Sequence, residues 1–230
     1  IILKAFREES FSHRGKHYTL PPEVPYRGYP LKEITLVPRP MRQPVEVWQP
    51  IVSGSARGLD FMARHGIKGV ISATAEELVQ RWVRDYQEAA RRHGRELRLG
   101  EELILGFRMC LDETVEGAIE RARPYFEEHA KVMAPLGMLR YSEEHVRAVA
   151  ARQPQSPTAA TLENGVRNRS WLCGPPADIV AYLKDVERRY PGLDHVMIGW
   201  AIGTPRDLMV EQLTRFAREV MPAFRPPGAR

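Results

Sequence analysis

The sequence predicts an α/β protein with parallel strands, because short apolar segments alternate with amphipathic segments of helical length. Strand–helix units follow one another between residues 45 and 133, and a further helix, strand and helix occupy residues 178–221. This pattern alone leaves a Rossmann-like sheet and a barrel open. No Gly-x-Gly-x-x-Gly segment follows a strand, so dinucleotide binding of the Rossmann kind has no support.

Composition places the chain among single globular domains and argues against several other classes. It has 230 residues, of which 43% are hydrophobic and 27% charged, enough to bury a sizeable core. No apolar run reaches the roughly eighteen residues of a membrane span. Cys110 and Cys173 lie far apart without metal-binding spacing, so we expect no disulfide framework, no zinc site and a cytoplasmic protein.

The net charge of +5 does not by itself indicate a nucleic-acid partner. The basic residues are scattered, and their densest run, Arg91–Arg95, falls where a helix is predicted to end. Cations at that position complement the helix dipole. We therefore expect a solvated helix terminus there and no nucleic-acid interface.

The first 44 residues predict little regular structure. Ile1–Glu9 lacks the order of a signal peptide and is interpreted as the end of a helix already under way. Phe11–Leu20 alternates around Gly15 and indicates a small hairpin. Pro21–Pro44 is too rich in proline for regular structure and is interpreted as a loop.

Three strands and two helices are predicted over the next part of the chain. Val45–Val52 is typical of a buried strand, and the helix after it ends at Gly66. Ile67–Ser72 predicts the second strand and Glu76–His93 an amphipathic helix. Leu103–Leu111 predicts the third strand.

The second half of the chain contains a polar segment, Gly137–Asn168, which we interpret as an insertion with weak helical content at Glu143–Ala151. The other predicted elements are helices over Glu113–Met133 (capped by Asp112), Asp178–Tyr190 and Leu208–Met221, and a last strand over Asp194–Trp200. In the last helix, an apolar stripe that includes Leu208, Met209 and Leu213 is expected to face the core.

Several segments together resemble the luciferase-like flavin-dependent monooxygenases. They are similar to that family in order and spacing, and they extend over nearly the whole chain apart from the insertion: Phe11–Tyr18, Pro38–Pro44, Ser53–Ser55, Ala63–Gly66, Cys173–Asp178 and Phe216–Pro222. The resemblance implies a (β/α)8 TIM barrel with FMN at the carboxyl ends of its strands. It also implies that residues 1–230 are a single-domain C-terminal part of that barrel, holding about strands 5 to 8 with an insertion before the last strand.

The missing strands limit what the resemblance assigns. About 120 further residues are expected upstream, at roughly 30 for each strand–helix unit. The catalytic histidine of the family lies in the early strands, so no catalytic residue is assigned in this sequence. The segment Gly137–Asn168 is expected to act as a lid, because long excursions on barrels tend to be functional.

The turn after the first buried strand is the candidate site for the FMN phosphate. Ser53, Gly54 and Ser55 lie between a strand and a helix start, where backbone N–H groups and the helix dipole favour an anion. Gly54 permits close approach, Ser55 can donate a hydrogen bond, and Arg57 can supply charge. The alternative is that Ser53 or Ser55 only caps the helix. The family binds phosphate at this turn, although luciferase itself has an acidic residue at Gly54 and a threonine at Gly58.

Four further positions match family residues near the flavin ring, with packing as the alternative for each. Gln49 and Val52 lie late in the first strand, Ser72 ends the second, and Trp200 ends the last. His13 and His17 are four residues apart, but Gly15 between them favours a hairpin over a metal site, and no metal is predicted.

The activity implied by the resemblance is oxygenation of an organic substrate by reduced FMN and O2. The reduced flavin is expected from a separate NAD(P)H-dependent reductase, in a bacterial homodimer or heterodimer. One alternative is a deazaflavin (F420)-dependent oxidoreductase of the same superfamily. Another is a non-catalytic flavin-binding subunit.

Overall fold

Residues 1–155 and 160–224 are described by a computed structural model, in which the chain divides into two units, Ile1–Val47 and Trp48–Arg230. The sequence predicts one domain over all 230 residues, and this stays a prediction beside the two compact units. The segments of the resemblance fall on both sides of the boundary after Val47.

The first unit consists of one short helix and two small hairpins. Its elements are α1 (Ile2–Arg7), β1 (His13–Arg14) paired with β2 (Thr19–Leu20), and β3 (Pro25–Tyr26) paired with β4 (Tyr29–Pro30). The predicted hairpin over Phe11–Leu20 is confirmed. The second hairpin lies in the stretch predicted to be irregular, and its turn residues Arg27 and Gly28 both have positive φ, which suits a two-residue hairpin turn.

The second unit is built on a five-stranded parallel sheet. The strands are β5 (Trp48–Pro50), β6 (Lys68–Ser72), β7 (Leu103–Leu111), β8 (Trp171–Gly174) and β9 (His195–Gly199). The long central strand β7 pairs with three others: β6 at its start, β8 along Arg108–Leu111, and β9 along Ile104–Arg108. Because all pairings are parallel, the strands end at the same edge of the sheet, where ligands of α/β proteins bind.

The strand β8 corrects the prediction of only four strands. It has four residues, all buried, and is followed directly by Pro175. The sequence therefore shows neither an alternating apolar pattern nor an apolar segment long enough to predict a strand. The register of β8 places Cys173 opposite Cys110. Both thiols are free and buried, and burial raises the pKa of Cys110 to about 11. Neither thiol is therefore activated as a nucleophile.

Seven helices are described in the second unit: α2 (Ala56–His65), α3 (Glu76–Arg92), α4 (Val115–Met133), α5 (Glu143–Ala151), α6 (Leu162–Arg167), α7 (Pro176–Arg189) and α8 (Arg206–Arg215). The cap of α4 is Thr114, whose side chain accepts a hydrogen bond from the Gly117 N–H, and not Asp112 as predicted. The Asp112 carboxylate instead accepts from the Glu113 N–H. No helix in the described part of the chain is long and apolar enough to cross a membrane.

Of the apolar stripe predicted for the last helix, Val220 is buried but Leu213 is exposed. Gln212 is 1% exposed, whereas Leu213 is 47% exposed. The Gln212 side chain accepts a hydrogen bond from the Leu111 N–H (2.6 Å) and donates one to the Leu111 carbonyl (3.0 Å). α8 therefore joins the end of β7 through a polar anchor. Beyond Arg215 the chain continues as a π-helical turn, Phe216–Val220, and a short 3-10 helix, Met221–Phe224.

The polar segment Gly137–Asn168 packs on the core through several residues. Residues 156–159 of this segment lie outside the described part. Leu139, Tyr141 and Leu162 belong to one hydrophobic cluster with α4 and β8. The buried Gln155 side chain binds the backbone N–H and carbonyl of Leu139 and the carbonyl of His145. The weak helix expected at Glu143–Ala151 is α5.

Candidate functional site

The turn between β5 and α2 forms a cleft at the carboxyl end of the first strand of the sheet. Ile51 still pairs with β6 through its N–H and the Val70 carbonyl, and the chain then leaves the sheet. The cleft has a volume of about 170 Å³. Its lining includes six of the predicted site residues: Gln49, Val52, Ser53, Gly54, Ser55 and Gly58. The structure thus brings most of the predicted cofactor contacts into one place.

Ser55 is the N-cap of α2. Its hydroxyl oxygen accepts a hydrogen bond from the Gly58 N–H at 3.3 Å, which is the capping role considered as the alternative. Capping leaves the hydroxyl proton available as a donor. The N–H groups of Ala56 and Arg57 belong to the first turn, where a helix offers no internal acceptor. Ser55 therefore supports an anion-binding turn as well as a helix start.

Gly54 is held in a conformation and a space that suit glycine alone. Its φ is +59°, and a Cβ at this position would lie 2.1 Å from Nε1 of Trp82. Trp82 of α3 is 0% exposed, and its indole N–H has no hydrogen-bond partner among the described residues. A buried donor without an acceptor is unusual in folded proteins. The indole ring of Trp82 packs directly against Gly54 and supports the turn from below.

The sequence pattern does not identify Trp82 as a functional residue. It occupies an apolar position of an amphipathic helix, with Leu78 and Tyr86 on the same side, and all three are buried. The sequence signal that could identify Trp82 is its indole N–H, because a buried tryptophan usually donates a hydrogen bond. Only the tertiary structure shows that this donor lies against Gly54.

The remaining predicted residues lie at other positions. Arg57 is exposed in the first turn of α2, directly after the cleft. Ser72 ends β6, and its carbonyl accepts a hydrogen bond from Arg140 at 2.9 Å. Trp200 is half-buried after β9, next to Ala201 in a narrow space of about 10 Å³, and its indole N–H has no partner in the described part of the chain. The role of Arg57 at the phosphate and the roles of Ser72 and Trp200 near the flavin ring stay predictions.

Comparison with known proteins agrees with this fold. The family model for luciferase-like monooxygenases matches residues 1–194. Because this match covers most of the chain, the chain belongs to the luciferase-like monooxygenase family, as the resemblance implied. No curated protein matches the chain.

Three solved structures are similar over almost the whole chain. The monooxygenase RslO1 from Streptomyces bottropensis is 17% identical, with a TM-score of 0.65 over 97% of this chain and 59% of its own. The oxygenating constituent of 3,6-diketocamphane monooxygenase from the CAM plasmid of Pseudomonas putida, in complex with FMN, is 19% identical, with a TM-score of 0.62 over 96% and 59%. An F420-dependent secondary alcohol dehydrogenase is 14% identical, with a TM-score of 0.63 over 97% and 58%.

These likenesses define the architecture. The chain spans about 59% of the length of the solved structures it matches. Its parallel α/β sheet is consistent with part of a luciferase-like TIM barrel. The neighbours include both FMN-binding and F420-dependent enzymes, so the fold alone does not select the cofactor.

Proposed function

We propose that this chain supplies the phosphate-binding part of an FMN-dependent monooxygenase, in which reduced FMN and O2 oxygenate an organic substrate. Family membership and the FMN complex of the diketocamphane monooxygenase constituent support the cofactor class. The observation that carries the proposal in this chain is the cleft at Ser53–Ser55, which lies against the first turn of α2.

In this proposal the residues of the turn bind and orient the phosphate. The Ser55 hydroxyl and the N–H groups of Ala56 and Arg57 donate hydrogen bonds, and the positive end of α2 and the Arg57 guanidinium complement the charge. Bound FMN supplies the redox chemistry, and the protein fixes its position and excludes water.

The Ser55→Ala variant tests the site directly. We expect FMN affinity to fall about tenfold, the equivalent of one charge-assisted hydrogen bond of about 1.4 kcal/mol. Riboflavin, which lacks the phosphate, should bind the variant and the unchanged protein equally. Flavin fluorescence titration measures both affinities.

The matched control is Thr114→Ala, because Thr114 caps α4 as Ser55 caps α2. Each change should cost about 1 kcal/mol of helix capping. Only Ser55→Ala should separate FMN from riboflavin. Equal losses of FMN affinity in the two variants would reduce Ser55 to a capping residue and remove the phosphate site.

The main alternative is an F420-dependent oxidoreductase, which the similarity to the F420-dependent secondary alcohol dehydrogenase supports. Titrating FMN and F420 against the same protein separates the two. Tighter F420 binding would replace oxygenation by hydride transfer without O2. A non-catalytic flavin-binding subunit would bind FMN but form no product with reduced flavin, O2 and substrate.

The proposed system also includes a partner. The diketocamphane relative is described as an oxygenating constituent, which supports a separate NAD(P)H-dependent flavin reductase for this chain as well. A homodimer or heterodimer in a bacterial cytoplasm completes the proposal, and the substrate is a small organic molecule.

A further inference from the structure

Arg108 carries a partly buried charge with which no described residue pairs. It lies in the middle of the sheet, on β7, where both β8 and β9 pair with it. Its Nε is buried without a hydrogen-bond partner among the described residues. One terminal nitrogen lies so close to Gly199 of β9 that a Cβ there would come within 2.8 Å of it. None of the ion pairs found in the described part of the chain involves Arg108.

A second arginine lies close enough to act on the first. Arg140 follows α4, and the charges of Arg108 and Arg140 each lower the pKa of His129, in addition to the larger effect of burial. Arg140 donates to the Ser72 carbonyl at 2.9 Å, and its other contacts are the Thr74 hydroxyl and the Met138 carbonyl. All three acceptors are neutral, so Arg140 is held in place without charge compensation.

His129 does not supply the missing counter-charge. It is 5% exposed on α4, and its Nδ1 faces the Ile202 N–H at 3.5 Å. Its pKa is lowered to about 4, so it is neutral at pH 7. Among the described residues, two like charges therefore lie near each other without a counter-charge, an arrangement that an anion would stabilise.

We propose that Arg108 and Arg140 form a binding site for an oxyanion, a carboxylate, sulfonate or phosphate group, near the ends of β6 and β9. A guanidinium matches such a group through parallel N–H donors and keeps its charge when buried. Arg108 is the contacting residue, because its side chain is partly exposed and makes no hydrogen bond or ion pair with the described residues. Arg140 contributes charge from a fixed position.

The site is separate from the cleft at Ser53–Ser55. The cleft follows β5, and Arg108 lies on β7. Because β6 lies between them, β5 and β7 are about 10 Å apart. A cofactor phosphate at Ser55 leaves Arg108 uncompensated. If the proposed function holds, the oxyanion at Arg108 is a group of the substrate. The identity of the oxyanion as a substrate group rests on the proposed function, whereas the binding site itself does not.

Sulfate is the probe for the site, at constant ionic strength maintained with chloride. Arginine side-chain Nε–H signals of the labelled protein are followed by NMR, with Arg108→Lys identifying the signal of Arg108. We expect a saturable sulfate shift in the unchanged protein and at least tenfold weaker binding in Arg108→Met. The control Arg206→Met removes an arginine whose side chain is 86% exposed and should leave the titration unchanged.

Thermal unfolding separates a binding role from a structural one. Without sulfate, Arg108→Met should raise the Tm by about 2–4 °C, because it removes an uncompensated charge. A lower Tm for this variant, or equal sulfate affinity in both proteins, overturns the proposal. Arg140→Gln, which keeps donors but removes charge, should weaken sulfate binding less than Arg108→Met.

FMN and riboflavin titrations of Arg108→Met identify the source of the oxyanion. Unchanged FMN affinity supports a substrate group. A tenfold loss for FMN but not riboflavin would assign Arg108 to the cofactor phosphate and overturn the substrate assignment. If the unchanged protein binds sulfate but no flavin, the proposed function fails while the oxyanion site stands.

Discussion

Gly54 shows how one residue without a side chain ties the local backbone to the proposed cofactor. Its positive φ reverses the chain between β5 and α2, and the space beside it is taken by the ring of Trp82. The two constraints are independent, since one is conformational and the other is steric. A substitution at this position therefore affects both the turn and the helix behind it.

Gly54→Ala should lower FMN affinity by at least tenfold and destabilise the fold by about 2–4 kcal/mol. About 1 kcal/mol of this comes from backbone strain, and the rest from displacing Trp82 in a packed core. Gly66→Ala is the control, because Gly66 has a similar φ of +64° at the other end of α2 and nothing within 4 Å of an added Cβ. It should cost only the strain and leave FMN binding intact. Fluorescence titration and denaturant unfolding measure the two effects, and matching behaviour of the two variants would contradict the steric argument.

At the scale of elements, the sequence predicts the helices and strands that are long enough to show a hydrophobic pattern. Leu103–Leu111 is predicted to the residue because nine consecutive positions are mostly apolar and bounded by polar ones. β8 has the same buried character in only four residues, too few for a pattern. The turn at Ser53–Ser55 is predicted because its chemistry is local. Trp82, Arg108 and Arg140 need tertiary contacts to become visible, since each acts on a residue distant in sequence.

The same reasoning applies to the segment Gly137–Asn168, whose function as a lid stays a prediction. Leu139, Tyr141 and Leu162 are buried in the core cluster, and Gln155 fixes the backbone of Leu139. These contacts favour a wall held against α4 over a freely moving flap.

α8 provides a prediction at this scale, because its anchor is polar where its sequence pattern is apolar. Gln212→Leu leaves the Leu111 N–H unpaired in the core and the Leu111 carbonyl with only the long contact to Arg215 (3.5 Å), and it should destabilise the fold by about 2–3 kcal/mol. Leu213→Ala, at the neighbouring position predicted to face the core, should cost less than about 1 kcal/mol because the side chain is 47% exposed. Urea unfolding of both variants measures the two losses of stability and shows which one is larger. The reverse ranking would restore the apolar stripe as the packing face.

For the whole molecule, the buried basic cluster links stability to pH. Burial and, to a smaller extent, the charges of Arg108 and Arg140 together lower the pKa of His129 to about 4. An unfolded histidine has a pKa of about 6.5. Between these values the unfolded chain binds the proton and the folded chain does not, so the free energy of unfolding falls as the pH decreases. Above about pH 7 the group is neutral in both states and contributes nothing.

We expect His129 to account for a loss of roughly 2 kcal/mol between pH 6.5 and 4, somewhat less than the full shift because solvent relaxation reduces it. Carboxylates and the buried His145, whose pKa burial also lowers, titrate in the same range. The measurement is therefore the difference between the unchanged protein and His129→Asn, whose amide oxygen can replace Nδ1 as the acceptor from Ile202. His65→Asn, at an exposed position, serves as the control. Denaturant unfolding at several pH values should show the difference growing in favour of His129→Asn as the pH falls. Parallel curves would mean that His129 is solvated in the folded protein, and the charges of Arg108 and Arg140 would then also be less confined than the oxyanion site requires.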